Sequence, residues 1–343
     1  LTLQNALDYY ASGSAGRAVC LQDKGDNTIC KNVRMLSYQD TYYSNGNGKY
    51  YWEDSDIHGT VDFLCGGGDV YYNRCTFVTE LRQADGKGEC TIAAPYTDNG
   101  CKWGYVMNDC TVDAKSEKFN FGRAWGGTPR LAYINTTLLQ PEKISATRFT
   151  TGGMNVPADK FVEYHSVDAQ GNVVSPESNV LKFTKDKKVN EMETILTAEQ
   201  AAEYALDKVF PTWTPAADAK QLGLGLLTAA DNSISWSAVE GAKAYAVFNN
   251  GRFVGMTAAT TWALGAGEKA DDFVVRAANA MGGFGNGSTT TTGINSLKVN
   301  AEGVASTVFY DLQGARVDGS QHGVLVMVQK MTDGSIKTTK VVK

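Results

Sequence analysis

The feature that most constrains the fold is a recurring pair, a polar residue followed three positions later by an apolar one. It occurs at Asn32/Met35, Asp54/Ile57, Arg74/Phe77, Asp109/Val112 and Asn135/Leu138. Short β-rich runs carry the pairs: Thr28 to Met35, Lys49 to Ile57, Asp69 to Phe77, Tyr105 to Val112 and Arg130 to Leu138. Clusters of Gly, Asn, Asp and Ser separate them. A repeat of this length without helical patterning predicts a parallel β-helix, in which each coil buries its inner face only by stacking on its neighbours. The longest step, from Arg74 to Asp109, predicts an excursion, Gln83 to Trp103, that leaves the coil as a loop. A sandwich of antiparallel hairpins is the competing fold.

The sandwich does not explain two aspartates that share one offset. Asp40 stands eight positions past Asn32 and Asp62 eight positions past Asp54, so the two are separated by one whole repeat. In a stacked-coil fold they stand on neighbouring rungs, roughly 5 Å apart. Two carboxyl groups that close cannot both ionise easily, so one pKa rises and the other falls. That arrangement suits a nucleophile paired with an acid. Taken singly, each aspartate reads as a turn residue at a loop start. Arg82 shares the same offset from Arg74 and competes with Arg123 as the cation of the pair.

Three ordered segments carry a resemblance: Tyr38-Gln39-Asp40-Thr41-Tyr42-Tyr43, Gly59-Thr60-Val61-Asp62-Phe63-Leu64-Cys65-Gly66 and Phe121-Gly122-Arg123-Ala124-Trp125. They are similar to the signature segments of pectin methylesterases, and the similarity extends from Leu1 through Tyr164. The resemblance implies a right-handed parallel β-helix whose N-terminal coils and cap are missing from this sequence. It also implies a carboxylic ester hydrolase, a pectinesterase acting on homogalacturonan with water and without cofactor or metal. In that reading Asp62 is the nucleophile on the C6 methyl ester, and Asp40 protonates departing methanol and then accepts a proton from water. Arg123 holds Asp62 ionised, Gln39 donates to the oxyanion, and Trp125 and Phe63 contact substrate. A carboxylate is a weak nucleophile and needs such a positioned partner. A pectate lyase on the same helix type, which needs Ca²⁺ and a basic proton abstractor, and a non-catalytic pectin-binding β-helix are the alternatives.

Three departures from the family pattern bear on the chemistry. Arg17, in Arg17-Ala18-Val19-Cys20-Leu21, stands where the family usually has a glutamine, so a second oxyanion donor becomes a cation that also touches substrate. Ala124 replaces a proline between Arg123 and the tryptophan. Ala94-Pro95-Tyr96 replaces a Gln-Gly-Arg stretch, which predicts altered substrate subsites.

Composition narrows the remaining classes. A net charge of −5 argues against a nucleic-acid partner, and no apolar run reaches the ~18 residues of a membrane span. All seven cysteines, Cys20, Cys30, Cys65, Cys75, Cys90, Cys101 and Cys110, fall in the N-terminal third of the chain. Cys75 and Cys110 occupy equivalent repeat positions and read as small buried residues stacked inside the helix. Cys90 and Cys101 flank the excursion and are the candidate disulfide, while the absence of a CxxC pair argues against thiolate metal binding. His58, His165 and His322 sit in no catalytic or metal spacing and read as structural or surface residues. The expected protein is a monomer, secreted or held at the cell surface. No signal peptide is present in the sequence.

Three domains are expected, 1–215, 216–292 and 293–343. After the coils, Val180 to Lys188 reads as a polar segment. Thr197 and Gln200 form a capping-box pattern that opens an amphipathic helix to about Phe210, and Pro211 and Pro215 mark a linker. The second domain reads as a small β-sandwich with a type I′ turn at Asn250-Gly251. Its run Ile234 to Ala242 followed by Tyr245 resembles a fibronectin type III domain, with Trp236 in the core. The last domain, with Val308 to Gly314, Gly323 to Val326 and Lys340 to Lys343, is similar to C-terminal sorting domains of secreted Bacteroidetes proteins.

Overall fold

Five non-glycine residues at left-handed backbone angles set the architecture. In the computed structural model, Asn32, Asp54, Arg74, Asp109 and Asn135 have φ between 50° and 53°, and they are the polar members of the five sequence pairs. Asn and Asp tolerate this conformation better than most residues. Each turns the chain by one corner, and each corner amide donates to a carbonyl on the next rung: Asn32 to Glu53, Asp54 to Asn73, Arg74 to Asn108, Asp109 to Ile134 and Asn135 to Tyr164. The apolar members, Met35, Ile57, Phe77, Val112 and Leu138, point inward with at most 1% of their surface exposed. The structure describes residues 1–13, 16–98, 100–185, 187–230, 232–290, 304–310, 316–317, 324–331 and 336–342.

The chain divides into two units, Leu1–Ala219 and Lys220–Lys343. The first is a parallel β-helix of three sheets. One runs Thr2–Gln4, Arg34–Leu36, Asp56–Gly59, Thr76–Thr79, Thr111–Ala114, Thr137–Leu138 and Val167–Asp168. The second runs Leu21–Asp23, Tyr42–Ser44, Val61–Gly66, Glu89–Thr97 and Lys118–Gly122, with Gly126–Gly127 also on Glu89–Thr97. The third runs Thr28–Lys31, Lys49–Glu53, Asp69–Asn73, Tyr105–Asn108, Arg130–Ile134 and Lys160–Tyr164. Every pairing between these rungs is parallel, and the aromatic ladder of the third sheet shows the alternation a strand imposes. Trp52 stacks on Tyr72 inside the coil, and Tyr51 stacks on Tyr71 on its outer face.

That outer face is covered by the segment after the coils. Thr197 caps Ala198–Ala202 through the expected capping box with Gln200, but the predicted helix does not run on to Phe210. It breaks into Ala198–Ala202 and Leu206–Val209, because Tyr204, Val209 and Phe210 turn onto Tyr51, Tyr71 and Val106. Pro215 opens a further turn, Pro215–Asp218, and is buried rather than lying in an open linker. Val180 to Lys188 is not a plain polar segment. Val180–Lys185 pairs antiparallel with Lys188–Glu193, and Leu181 and Phe183 are buried.

Two other expectations are corrected. The excursion Gln83 to Trp103 contains the strand Glu89–Thr97, which occupies a regular place in the second sheet. Cys90 and Cys101 form no disulfide, and all seven cysteines are free. The Cys90 thiol faces the Glu80 carbonyl from inside the coil, whereas Cys101 faces the Asn47 carbonyl. Cys75 and Cys110 are buried on adjacent rungs as expected.

In the second unit, one sheet holds Thr261–Ala263, Ser233–Ser235, Leu226–Ala230 and Thr289–Thr290, and the other holds Arg252–Thr257, Ala244–Asn249 and Phe273–Ala278. They share one core containing Leu227, Ile234, Trp236, Tyr245, Val247 and Val275. Asn250 and Gly251 both have positive φ, as a type I′ turn requires. A four-stranded sheet, Arg316–Val317, Val304–Tyr310, Val324–Met331 and Ile336–Val342, follows. Asp311 to Gly314, His322, Gly323 and Lys343 lie outside the described residues.

Candidate active site

The site sits where the first sheet turns into the second. Met35 pairs with Ile57 before the turn and Tyr42 pairs with Leu64 after it, so the same one-repeat register brackets Asp40 and Asp62 on adjacent rungs. Both adopt left-handed angles, φ 59° and 52°, and the Asp40 amide donates to the Val61 carbonyl. One rung earlier, Arg17 bridges Gln39 in parallel. Arg123 follows Lys118–Gly122, one rung beyond Glu89–Thr97, and its amide donates to the Ala93 carbonyl. Arg17, Gln39, Asp40, Asp62, Cys65, Ala94, Arg123 and Trp125 together line one cleft of about 80 Å³.

The Arg123 guanidinium grips Asp62 along its edge. Nε lies 2.9 Å from Oδ1 and 3.1 Å from Oδ2, and Nη2 lies 2.5 Å from Oδ2. Its remaining Nη1 donates to the Gly153 carbonyl. Asp62 is 5% exposed, and the hydrogen bonds it accepts raise the Arg123 pKa, so this cation stays charged. Asp40 is held in the opposite sense. Burial first, and the Asp62 carboxylate second, push its pKa up to about 6, while Arg17 and Arg123 pull it back. Arg17 Nε is 3.6 Å from Asp40 Oδ2 on a side chain that is 79% exposed, which makes it a loose ion pair. The pair is thus one carboxyl group fixed beside a guanidinium and one that gains and loses a proton at about pH 6.

The cleft therefore collects six of the seven expected residues. Phe63 is the exception and is corrected here: its side chain is 0% exposed and packs in the coil interior, because the residue after Asp62 points to the opposite face. Arg82 is not the partner of the pair, since its guanidinium donates to Tyr9 Oη at 2.5 Å. His58 bonds Glu80 at 2.7 Å away from the cleft. Three further participants were given no individual role by the sequence, although Cys65 lies in a signature segment and Ala94 in the stretch expected to alter the subsites. Cys65 and Ala94 face the cleft because the register between Val61–Gly66 and Glu89–Thr97 shifts at Thr91/Ala93, which defeats a simple alternation. Gly153 is distant in sequence and contributes only a carbonyl.

A second recess of about 340 Å³ continues from Trp125, lined by Tyr43, Asn45, Asn47, Tyr96 and Asp98 among others. Trp125 touches Tyr43 and Tyr96 at ring-centroid distances of 5.8 and 5.6 Å.

The sequence profile of the pectinesterase family matches residues 2–180. The chain belongs to the pectinesterase family. It is 29% identical over 242 residues to Pectinesterase A of Dickeya dadantii, covering 63% of this chain and 65% of that protein. It is 33% identical over 134 residues to a pectinesterase of Sitophilus oryzae, covering 35% and 34%. Among solved structures it is similar to pectin methylesterase PemA from Erwinia chrysanthemi, with 28% identity, a TM-score of 0.47, and coverage of 63% of this chain and 69% of that one. This pectinesterase-family chain spans less than two thirds of the length of the curated relatives first matched. Among the described residues no helix is long and apolar enough to cross a membrane.

Proposed function

We propose that the protein is a pectin methylesterase that hydrolyses C6 methyl esters of homogalacturonan through an aspartyl acyl-enzyme. The observation that carries this is the asymmetry of the two carboxyl groups in one cleft, with Asp62 bound edge-on by Arg123 and Asp40 shifted to about 6. Family membership supplies the substrate class.

In the first half-reaction an Asp62 oxygen attacks the ester carbonyl carbon. Charge develops on the carbonyl oxygen, and the Gln39 amide N–H group, which has no partner among the described residues, and the Arg17 guanidinium are the donors at hand. Collapse breaks the carbon–methoxy bond, and the Asp40 proton goes to the leaving oxygen to give methanol. In the second half-reaction water adds to the acyl carbon and gives its proton to Asp40. The Asp62–carbonyl bond breaks, the new carboxylic acid gives its proton to solvent to become the galacturonate carboxylate, and both aspartates are left as they began. Arg123 holds the Asp62 carboxyl group in place through Nε and Nη2, and Trp125 offers a ring face to a neighbouring sugar. Homogalacturonan is a cell-wall polymer, so action outside the cell accords with the substrate. We further propose residues 216–292 as a fibronectin type III-like accessory module and 293–343 as a sorting-like domain of a monomeric enzyme.

The test is methanol release from methyl-esterified homogalacturonan by the full chain and by Asp62→Asn. An amide cannot form the acyl-enzyme, so Asp62→Asn is expected to lose at least ~10³-fold in kcat, on the scale of removing a covalent catalytic group, with unchanged folding by circular dichroism. Asp62→Asn releasing methanol near the wild-type rate would remove the covalent mechanism.

A further inference from the structure

A cavity of about 420 Å³ lies between the third sheet and the segment that covers it, and it shares no residue with the cleft or the recess. Its wall is the row where three coils enter the sheet. Arg130 opens Arg130–Ile134, Lys160 opens Lys160–Tyr164, and the two are register partners on adjacent rungs. Lys102 and Trp103 precede Tyr105–Asn108, one rung earlier. Charge here runs against the protein as a whole. The chain carries −5, yet Lys102, Arg130 and Lys160 line the cavity against two carboxylates, Asp159 and Glu203. Arg130 is engaged already: Nε donates to Asp159 at 2.6 Å and Nη1 to the Lys102 carbonyl at 2.5 Å. The lysines form no ion pair among the described residues. Lys102 Nζ lies 4.4 Å from the centre of the Trp103 ring, and Lys160 Nζ 5.5 Å from that of Tyr204. A ring holds an ammonium group in place without neutralising it. Trp103 is fixed as well, because the Asp69 carboxylate accepts from the amides of Lys102, Trp103 and Gly104 at 3.3, 2.7 and 2.9 Å. Its ring meets Tyr204 edge-on at 5.4 Å, and its indole N–H donates to no group among the described residues.

We propose that this cavity is a second carbohydrate site, outside the catalytic cleft, that holds a segment of acidic polysaccharide. Lys102 and Lys160 receive uronate carboxylates, and Trp103 receives the apolar face of a sugar. The proposal takes the identity of the polymer from the pectin methylesterase reading and adds a site at which no bond is broken. Two ammonium groups on one wall suit a ligand that carries carboxylates at a repeat, and the aromatic area contributes independently of charge. The Glu203 carboxylate opposes the same ligand. A stretch held here raises the local concentration of the rest of that polymer at the cleft, whereas an oligomer too short to reach both sites gains nothing.

The experiment runs the full chain through native gels with and without polygalacturonate, and the retardation gives a dissociation constant. Lys102→Glu with Lys160→Glu is expected to weaken it about tenfold, and Trp103→Ala about fivefold. Glu203→Gln is expected to tighten it by about twofold, since it removes the opposing carboxylate and leaves both lysines. Should Trp103→Ala not fold by circular dichroism, the exposed lysine and glutamate variants decide alone. Polyglutamate, a polyanion without sugar rings, is expected to retard the unsubstituted chain less than polygalacturonate does. Retardation unmoved in the double lysine variant, or polyglutamate as effective as polygalacturonate, overturns the site. Methanol release from a short methyl-esterified oligogalacturonate is measured alongside and is expected to be unchanged in all these variants. Its loss together with retardation would put the lysines in the service of the cleft and overturn a separate site. Methanol with unmoved retardation defeats the second site alone, whereas a moved retardation with no methanol even from the unsubstituted chain defeats the esterase reading alone.

Discussion

Asp40 is the residue whose charge the proposed reaction has to change twice, and its environment sets the pH at which it does so. Its folded pKa of about 6 lies above the ordinary 3.8, so between those values the folded state binds more protons than the unfolded state. Stability from this group is therefore full below about pH 4, declines as pH rises through about 6, and is level beyond it. Asp40→Asn is expected to flatten that stretch of the pH–stability curve in urea titrations; an unaltered curve would contradict the assignment. Acylation needs protonated Asp40, so kcat/KM for methanol release is expected to fall as pH rises through about 6. Arg17→Ala and Arg17→Gln both remove a cation that holds this pKa down, and both should move the limb to higher pH by a few tenths, the pair being exposed. Well below the limb, Arg17→Ala is expected to cost about tenfold in rate, ~1.4 kcal/mol, and Arg17→Gln to recover much of it by donating to the oxyanion. Equal rates in Arg17→Ala and the unsubstituted chain would leave Gln39 as the sole donor. The residues of the cleft were legible where they sit at a repeated offset or in a signature segment, as Asp40, Asp62 and Arg123 do. Phe63 is not legible in this way, because a neighbour in sequence faces the other way on a strand. Cys65 was hidden because its facing depends on a register shift between strands that no local pattern records.

At the scale of elements, the corners were readable because a left-handed angle selects polar side chains at a fixed distance before an inward apolar one. The coil containing Glu89–Thr97 lacks that pair, so its sequence has the character of a loop, although its strand pairs with both neighbours. The hairpin from Val180 to Glu193 was hidden by lysines and glutamates on its outer face. The buried Arg148–Glu163 pair, bonded at 2.6 and 2.7 Å, was equally hidden, since charged residues in a sequence read as surface. It lies at the start of the segment that supports Arg123. The Phe121 amide donates to the Arg148 carbonyl, the Thr150 amide to the Gly122 carbonyl, and the Asn155 amide to the Ala124 carbonyl. This backbone zipper supports the turn in which Ala124 stands in place of the family's proline. Gly153 ends the support with φ 70° and a carbonyl on Arg123 Nη1, and a Cβ there would come within 3.1 Å of that nitrogen. Gly153→Ala is expected to cost about 1 kcal/mol of stability through its backbone angle, and about tenfold in kcat by displacing the guanidinium from Asp62. Methanol release at the full rate in a folded Gly153→Ala protein would show that Arg123 does not depend on this carbonyl.

For the whole molecule, every residue that lines the cleft and the recess belongs to Leu1–Ala219. The interior core of the coils is likewise supplied from within that unit, and so is the layer on their outer face, which ends at Ala219. Lys220–Lys343 has cores of its own, around Trp236 in the sandwich and around Leu325 and Met327 in the last sheet. Solenoid units draw their stability from rung-to-rung contacts, so a unit whose cores are self-supplied does not need a remote one to fold. The prediction is that a chain ending at Ala219 keeps the β-sheet circular dichroism of the first unit and releases methanol from soluble methyl-esterified homogalacturonan within about twofold of the full chain, a difference of ~0.4 kcal/mol in the barrier. A folded but inactive 1–219 chain would mean that the second unit completes the site. An aggregated one would mean that it shields a surface the first unit cannot leave exposed. Activity retained on soluble polymer and lost on intact cell-wall material would assign the second unit to recruitment and leave the chemistry with the coils.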